Sequence, residues 1–141
     1  MEHCCVVGAG LGGLNTVRAL RAAGHTGRIT LVGAEPHHPY DRPPLSKQFL
    51  RGEVDDTTLP ADWAAWDVDL RLGTRVTGLR DGVVVTERGE IGCDGVVLAT
   101  GAEPVRLPGD GPQRTLRTVD DARSLRGVLR PGLRLAIVGA G

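Results

Sequence analysis

The sequence predicts an α/β fold built on a parallel sheet. Three observations carry this. An apolar run at 3–7 is followed by a helical pattern at 11–23 and a second apolar run at 28–33. A glycine triplet, Gly8, Gly10 and Gly13, sits where the first run meets the helix. Residues 70–94 alternate apolar and polar, with turn signals at Asp81-Gly82 and Gly89.

Residues 3–7 read as a buried parallel strand, since both faces are apolar. Residues 11–23 read as a helix with Leu11, Leu14, Val17, Ala19 and Leu20 on one side, ended by Gly24 and Gly27. The strand at 28–33 (RITLVG) closes one strand-helix-strand unit, for which a right-handed crossover is expected. Residues 34–60, with Pro36, Pro39, Pro43, Pro44 and Pro60, form an irregular excursion with a short helix around 46–51. Excursions of this length are usually functional. Residues 70–94 (DLRLGTRVTGL, VVVTE, EIGCD) are expected to form an antiparallel meander beside the main sheet. A buried strand at 96–99 ends in Thr100-Gly101 and leads into a loop with Pro104, Pro108, Gly109 and Gly111. A helix at 117–129 precedes a third apolar strand at 133–138, which ends in Gly139-Ala140-Gly141. CVVGAG at 5–10 thus returns as AIVGAG at 136–141, a repeat 131 residues apart, and the sequence stops inside the second copy.

Composition excludes several classes. The 141 residues have the length of one domain. Gly and Pro fill 30 of the 141 positions, below the roughly 25–30% of low-complexity chains. Seventeen basic and seventeen acidic side chains cancel, so neither a nucleic-acid footprint nor a polybasic membrane patch is expected. The longest run free of polar side chains, 4–14, is short of the roughly 18 residues a membrane-spanning helix needs. Met1-Glu2-His3 lacks the positive charge of a signal peptide. Three cysteines without a CxxC pair, two of them adjacent and facing opposite sides of a strand, read as free thiols of a cytoplasmic protein. Cys93 reads as structural, and His37-His38, lacking a further Cys/His cluster, as solvated, so no metal site is expected. Trp63 and Trp66 are expected to anchor a short helix to the core. Asp55-Asp56, Arg123, Arg126 and Arg130 read as solvated faces. No Walker lysine pattern, GxSxG elbow or HExxH is present.

The glycines carry the chemistry. In GxGxxG after a strand, the first glycine permits the tight turn, the second lets a pyrophosphate approach the backbone, and the third lets helix pack on strand. The helix N-terminus then offers free N–H groups to phosphate. Glu35, 22 residues after Gly13 and just past the second strand, is placed to accept hydrogen bonds from ribose hydroxyls. The pattern points to a dinucleotide without distinguishing FAD from NAD. Lys47 is the sole lysine against sixteen arginines. A compact ammonium in a proline-stiffened loop suits a point charge beside a cofactor that gains negative charge on reduction.

YDRPPLSK at 40–47, ATGAEP at 99–104, LPG at 107–109 and LRTVDDA at 116–122 resemble, at collinear positions, the FAD-dependent NAD(P)H:ferredoxin (rubredoxin) reductases of oxygenase systems. These are the putidaredoxin reductase-like members of the pyridine nucleotide-disulfide oxidoreductase fold. The resemblance covers nearly the whole chain. It implies a Rossmann-like FAD-binding domain with an antiparallel meander, its N-terminal part at 1–112, and the opening of an NAD(P)H-binding domain at 113–141. It places Gly8, Ala9, Gly10, Leu11, Gly12 and Gly13 on the FAD pyrophosphate and Ala34-Glu35 by the adenosine ribose. Arg42 and Lys47 fall along the cofactor, Val76 on the adenine side, and Ala99, Thr100, Gly101 and Arg117 near the flavin half, with Lys47 as the catalytic charge. Relatives often carry an acidic pair where this chain has Ala34-Glu35. No cysteine occupies 36–52, where disulfide reductases of this fold place theirs, so electrons are expected to leave the flavin directly for a ferredoxin serving an oxygenase. By this reading NADH and NADPH are not told apart, and the 141 residues alone are expected to be inactive. The alternatives are a non-catalytic fragment, or part of an NADH oxidase or quinone reductase of the same fold.

Overall fold

A computed structural model describes residues 1–139; Ala140 and Gly141, which end the second glycine motif, lie outside the described residues. The chain divides into two compact units, one of Met1–Asp41 with Thr58–Ala102, the other of Arg42–Thr57 with Glu103–Gly141. The first holds β1 (His3–Val7), α1 (Leu11–Ala22), β2 (Arg28–Val32), β3 (Val68–Arg71), β4 (Val76–Arg80), β5 (Val83–Thr86), β6 (Gly89–Gly92) and β7 (Gly95–Leu98). The second holds a 3-10 turn (Pro43–Ser46), α2 (Gln48–Arg51) and α3 (Val119–Val128).

The parallel sheet of the first unit runs β3-β2-β1-β7, with Cys5 opposite Thr30 and Val96, and Thr30 opposite Asp69. Successive side chains of a strand face opposite sides, and both sides of β1 are used. Cys4, Val6, Ile29 and Leu31 pack with Val17 of α1, while Cys5, Val7 and Val32 pack with Val84, Ile91 and Cys93 of the antiparallel region. Complete burial on both faces is why β1 and β2 read as unbroken apolar runs.

The helix face expected from sequence needs correction. Gly13, Leu14 and Val17 are buried, but Leu11 is 53% exposed and Ala19 is exposed. At about 100° per residue, Ala19 lies about 170° from the centre of the buried face and Leu11 about 110°. Apolar identity alone does not place a residue on a stripe. Arg21 fixes the C-terminal end of α1: its guanidinium donates to the carbonyls of His25 (2.6 Å), Trp66 (2.7 Å), Gly27 (2.8 Å) and Asp67 (3.1 Å). Trp63 and Trp66, expected to lie on a short helix, instead lie in a turn over residues 63–67. Asp67 takes left-handed backbone (φ 46°), which stops helical propagation, and β3 begins at the next residue. Trp63 and Trp66 nevertheless pack against the α1 side of the sheet as expected.

The meander is shorter than its alternating pattern. β4, β5 and β6 pair antiparallel, but β3 pairs parallel with β2 at the sheet edge. Its apolar Val68 and Leu70 face the α1 cluster, while Asp69 pairs with Arg71 (2.9 Å) and accepts from Thr30 Oγ1 (3.2 Å). Period-two alternation reports a half-buried strand and is silent on the direction of its partner. β7, expected to be buried, is half-buried with Leu98 66% exposed, because it is the outer strand of the described sheet. Residues 133–138, expected as a strand, have no strand assignment and are exposed. A parallel strand exists only through its neighbours, and none of the described strands pairs with this segment.

In the second unit, Pro43 and Pro44 open the 3-10 turn, where the missing N–H costs nothing, and Gly52 closes α2 in left-handed conformation (φ 76°). α3 packs on both elements, with Leu45, Phe49, Val119 and Ala122 buried. Arg126 and Asp55, read from sequence as solvated, are paired at 2.6 Å, and the Arg126 guanidinium lies 5.6 Å from the Phe49 ring centroid. Thr118 and Asp121 form a capping box on α3. Burial alone would raise the Asp121 carboxyl, but the N–H groups of Thr118 and Arg117 and the Thr118 hydroxyl hold it below the usual range. A depressed carboxyl stabilises the fold above its unfolded value of about 3.9 and ceases to do so as pH falls through the folded value. Asp121→Ala is therefore expected to cost about 1 kcal/mol at neutral pH and progressively less as the pH falls and the parent's carboxyl is protonated, as followed by urea unfolding from pH 7 downward.

Candidate functional site

The glycine turn is assembled where β1, β7 and α1 meet. Gly8 follows β1 with φ +113° and donates to the Val32 carbonyl at 2.8 Å, while Ala99 donates to the Val7 carbonyl at 2.7 Å. A Cβ on Gly8 would stand 2.1 Å from the Ala99 carbonyl oxygen, and one on Gly13 would stand 1.9 Å from the Gly8 carbonyl oxygen and 3.0 Å from Leu31 Cδ1. Both positions are closed by the protein itself. A Cβ on Gly12 would make ordinary contact with Ala99 Cβ at 3.5 Å, and Ala9 Cβ fills the space beside Gly33. The structure therefore brings Gly8, Ala9, Gly12, Gly13 and Ala99 together.

Gly10 is different. Its backbone is extended (φ −101°, ψ −163°), and a Cβ built there would meet nothing within 4 Å. The fold does not require glycine at this position. Gly10 is the N-cap of the twelve-residue α1, with no side-chain cap and no acidic residue in the first turn, so the leading N–H groups face a space free of competing protein acceptors from that turn. Leu11, half exposed, stands at the same end.

Past β2, Ala34 is exposed and Glu35 half-buried. The Glu35 carbonyl accepts from Gly73 N–H at 2.9 Å and its carboxylate accepts from the Tyr40 hydroxyl at 2.5 Å. Tyr40 was visible in sequence only as the first letter of YDRPPLSK; five residues from Glu35 in an irregular loop, it offers no periodicity that would pair the two. Val76, on β4, packs against the buried cluster that includes Val7 and Val32, the residues just before Gly8 and Gly33. Thr100 and Gly101 continue from β7 on exposed backbone, Gly101 with φ +73°.

Within the second unit, Arg42 Nη1 donates to the Arg117 carbonyl at 2.6 Å, so two of the arginines assigned by resemblance meet there. Arg117 and Thr118 N–H groups both donate to Asp121 at 2.9 Å, tying this carbonyl to the start of α3. Lys47 is exposed at the junction of the 3-10 turn and α2, its Nζ 3.4 Å from the Pro43 carbonyl and from Ser46 Oγ.

The cysteines are free and buried. Burial first, then the neighbouring Cys93 and Cys4, pushes the Cys5 thiol up to about 12. It is a packed apolar group, with negligible thiolate at neutral pH. No helix of the described residues is long and apolar enough to cross a membrane.

Residues 2–141 match the family Pyridine nucleotide-disulphide oxidoreductase. The chain is 38% identical over 150 residues to the benzene 1,2-dioxygenase system ferredoxin--NAD(+) reductase subunit of Pseudomonas putida, covering 99% of this chain and 37% of that protein. The crystal structure of Fdr9 superposes with a TM-score of 0.89 at 50% identity, over 94% of this chain and 34% of that one. The covalent putidaredoxin reductase-putidaredoxin complex gives 0.83 at 34% identity, over 89% and 34%. The chain spans about a third of the length of these relatives, and the α/β architecture of parallel and antiparallel sheets is the one they share.

Proposed function

Because this chain belongs to the pyridine nucleotide-disulphide oxidoreductase family, we propose that it is the N-terminal portion of a flavoprotein reductase. The whole protein would carry electrons from NAD(P)H through FAD to a ferredoxin-type iron–sulfur protein of an oxygenase system in the cytoplasm. The 131-residue spacing of CVVGAG and AIVGAG supports reading 1–112 as the N-terminal part of the FAD domain and 113–141 as the opening of the nicotinamide domain. When bound, FAD supplies the centre that accepts a hydride and releases electrons singly.

The observation that carries the cofactor reading is Gly10, where glycine leaves room that no protein atom uses, between Gly8 and Gly13, whose Cβ positions backbone atoms close. Such a vacancy at an uncapped helix N-terminus fits a pyrophosphate. Gly8, Ala9, Gly10, Leu11, Gly12 and Gly13 would line it, Glu35 with Ala34 would hold the adenosine ribose, and Val76 would border the adenine. Ala99, Thr100 and Gly101 are assigned to the flavin half. Arg42, Lys47 and Arg117, in the second unit, are assigned to the cofactor by the resemblance alone. Lys47 would supply the positive charge that favours the added electrons.

The test is to purify the chain and release and identify its yellow chromophore; FAD supports the reading, while a colourless chain that binds no added FAD defeats it. Lys47→Met is expected to retain FAD and to lower its midpoint potential by about 30 mV, measured by dye-coupled reductive titration. An unchanged potential would leave Lys47 an ordinary surface lysine.

A further inference from the structure

Tyr40 is buried, with 7% of its surface exposed, yet carries a hydroxyl that must find a partner. It donates to the Glu35 carboxylate. The surrounding chain fixes that phenol in place. Tyr40 bridges to Thr58 as an isolated antiparallel pair, and Leu59 N–H donates to the carbonyl of the fully buried Pro39 at 2.8 Å. The His37 ring packs edge-on against it at 6.3 Å. The backbone of Glu35 is held separately, by Gly73. Backbone and side chain of Glu35 are thus anchored by different segments of the first unit, and the carboxylate is oriented before any ligand arrives. A glutamate left to itself populates many rotamers and forfeits part of its binding free energy in choosing one.

We propose that Tyr40 is the positioning residue for Glu35, making the carboxylate at the end of β2 a rigid acceptor that selects adenine nucleotides with an intact ribose diol. This rests on the FAD-site reading above and adds to it a residue that does not itself touch the ligand. The phenol hydroxyl is a hydrogen-bond donor in a half-buried setting, where a charge-assisted bond is stronger than its neutral counterpart. Tyr40→Phe removes that donor and keeps the ring, which remains in its packed position while the carboxylate loses the phenol's hold.

The experiment is calorimetric titration of the chain with ADP and with 2′-deoxy-ADP. The parent should prefer ADP. Tyr40→Phe should weaken ADP by about tenfold, leave 2′-deoxy-ADP nearly unchanged, and so erase most of the preference, with the ligand-free melting temperature little altered. Equal weakening of both nucleotides, or a preference retained in full, would overturn the proposal. Glu35→Gln supplies a second readout: it should lose the preference too, and adding Tyr40→Phe to it should cost little more. Independent, additive losses would overturn the pairing. Failure of the underlying reading shows differently, as a parent chain that binds neither nucleotide or a Gly10→Val chain that binds ADP like the parent.

Discussion

Gly10→Val is expected to remove bound FAD from the chain, with affinity falling by at least about a hundredfold, while the helical CD signal persists and the melting temperature moves by only a few degrees. The two halves of this expectation have separate causes. On the protein side, the extended φ and ψ of Gly10 suit a β-branched residue, and nothing lies within 4 Å of the new Cβ. The remaining cost is a weaker N-cap, about 1 kcal/mol at most. On the ligand side, the space at the head of α1 is where a pyrophosphate would draw N–H donors, and an isopropyl group would both occupy it and keep the phosphate oxygens beyond hydrogen-bond reach. The flavin absorbance of equal amounts of purified parent and variant decides the matter. Equal FAD content would mean that the vacancy at Gly10 serves no cofactor.

The legible part of the fold is the part whose burial is two-sided or whose turn chemistry is local. β1, α1 and β2 were visible because Cys4 to Val7 and Ile29 to Val32 are covered on both faces, and because Gly24 closes the helix in left-handed conformation (φ 81°). β3 departs from the expected meander because its Val68/Asp69/Leu70/Arg71 alternation fits an edge strand of a parallel sheet as well as a hairpin, and only the β2 pairing separates them. The segment 133–138 departs in the opposite sense: its apolar run has strand character but no partner among the described strands.

The candidate site divides along the same line. Gly8, Gly10, Gly13 and Glu35 follow from spacing, because a glycine turn and the acidic residue after the next strand occur at near-fixed offsets. Tyr40 does not, since the loop from Glu35 to Tyr40 has no repeat to relate the two side chains. Neither does the setting of Lys47. The segment that carries it is held by α3 through Phe49, Arg126 and Asp55, and Asp55 and Arg126 are separated by 71 residues. Both side chains lie at the surface, as read from sequence, but charges so far apart in sequence carry no local signature of their pairing.

Gly13→Ala is expected to damage the fold itself, which Gly10→Val spares. The backbone of Gly13 is helical, which alanine prefers by about 1 kcal/mol, so propensity alone predicts stabilisation. Packing overrules it. The added Cβ would stand 1.9 Å from the Gly8 carbonyl oxygen, a backbone atom that cannot rotate aside, and 3.0 Å from Leu31 Cδ1 in the fully buried layer beneath α1. Relief requires α1 to lift from the sheet, which would open the contacts of Leu14 and Val17 as well. Insertions into a well-packed interface typically cost about 1–3 kcal/mol and more when backbone must move. A loss of about 3 kcal/mol corresponds to a fall of roughly 6–12 °C in melting temperature for a chain of this size. Thermal unfolding of the FAD-free protein measures it without reference to the cofactor. A variant as stable as the parent would show that α1 does not approach the Gly8 carbonyl this closely, and the separation of fold-bearing from ligand-bearing glycines in the turn would fail with it.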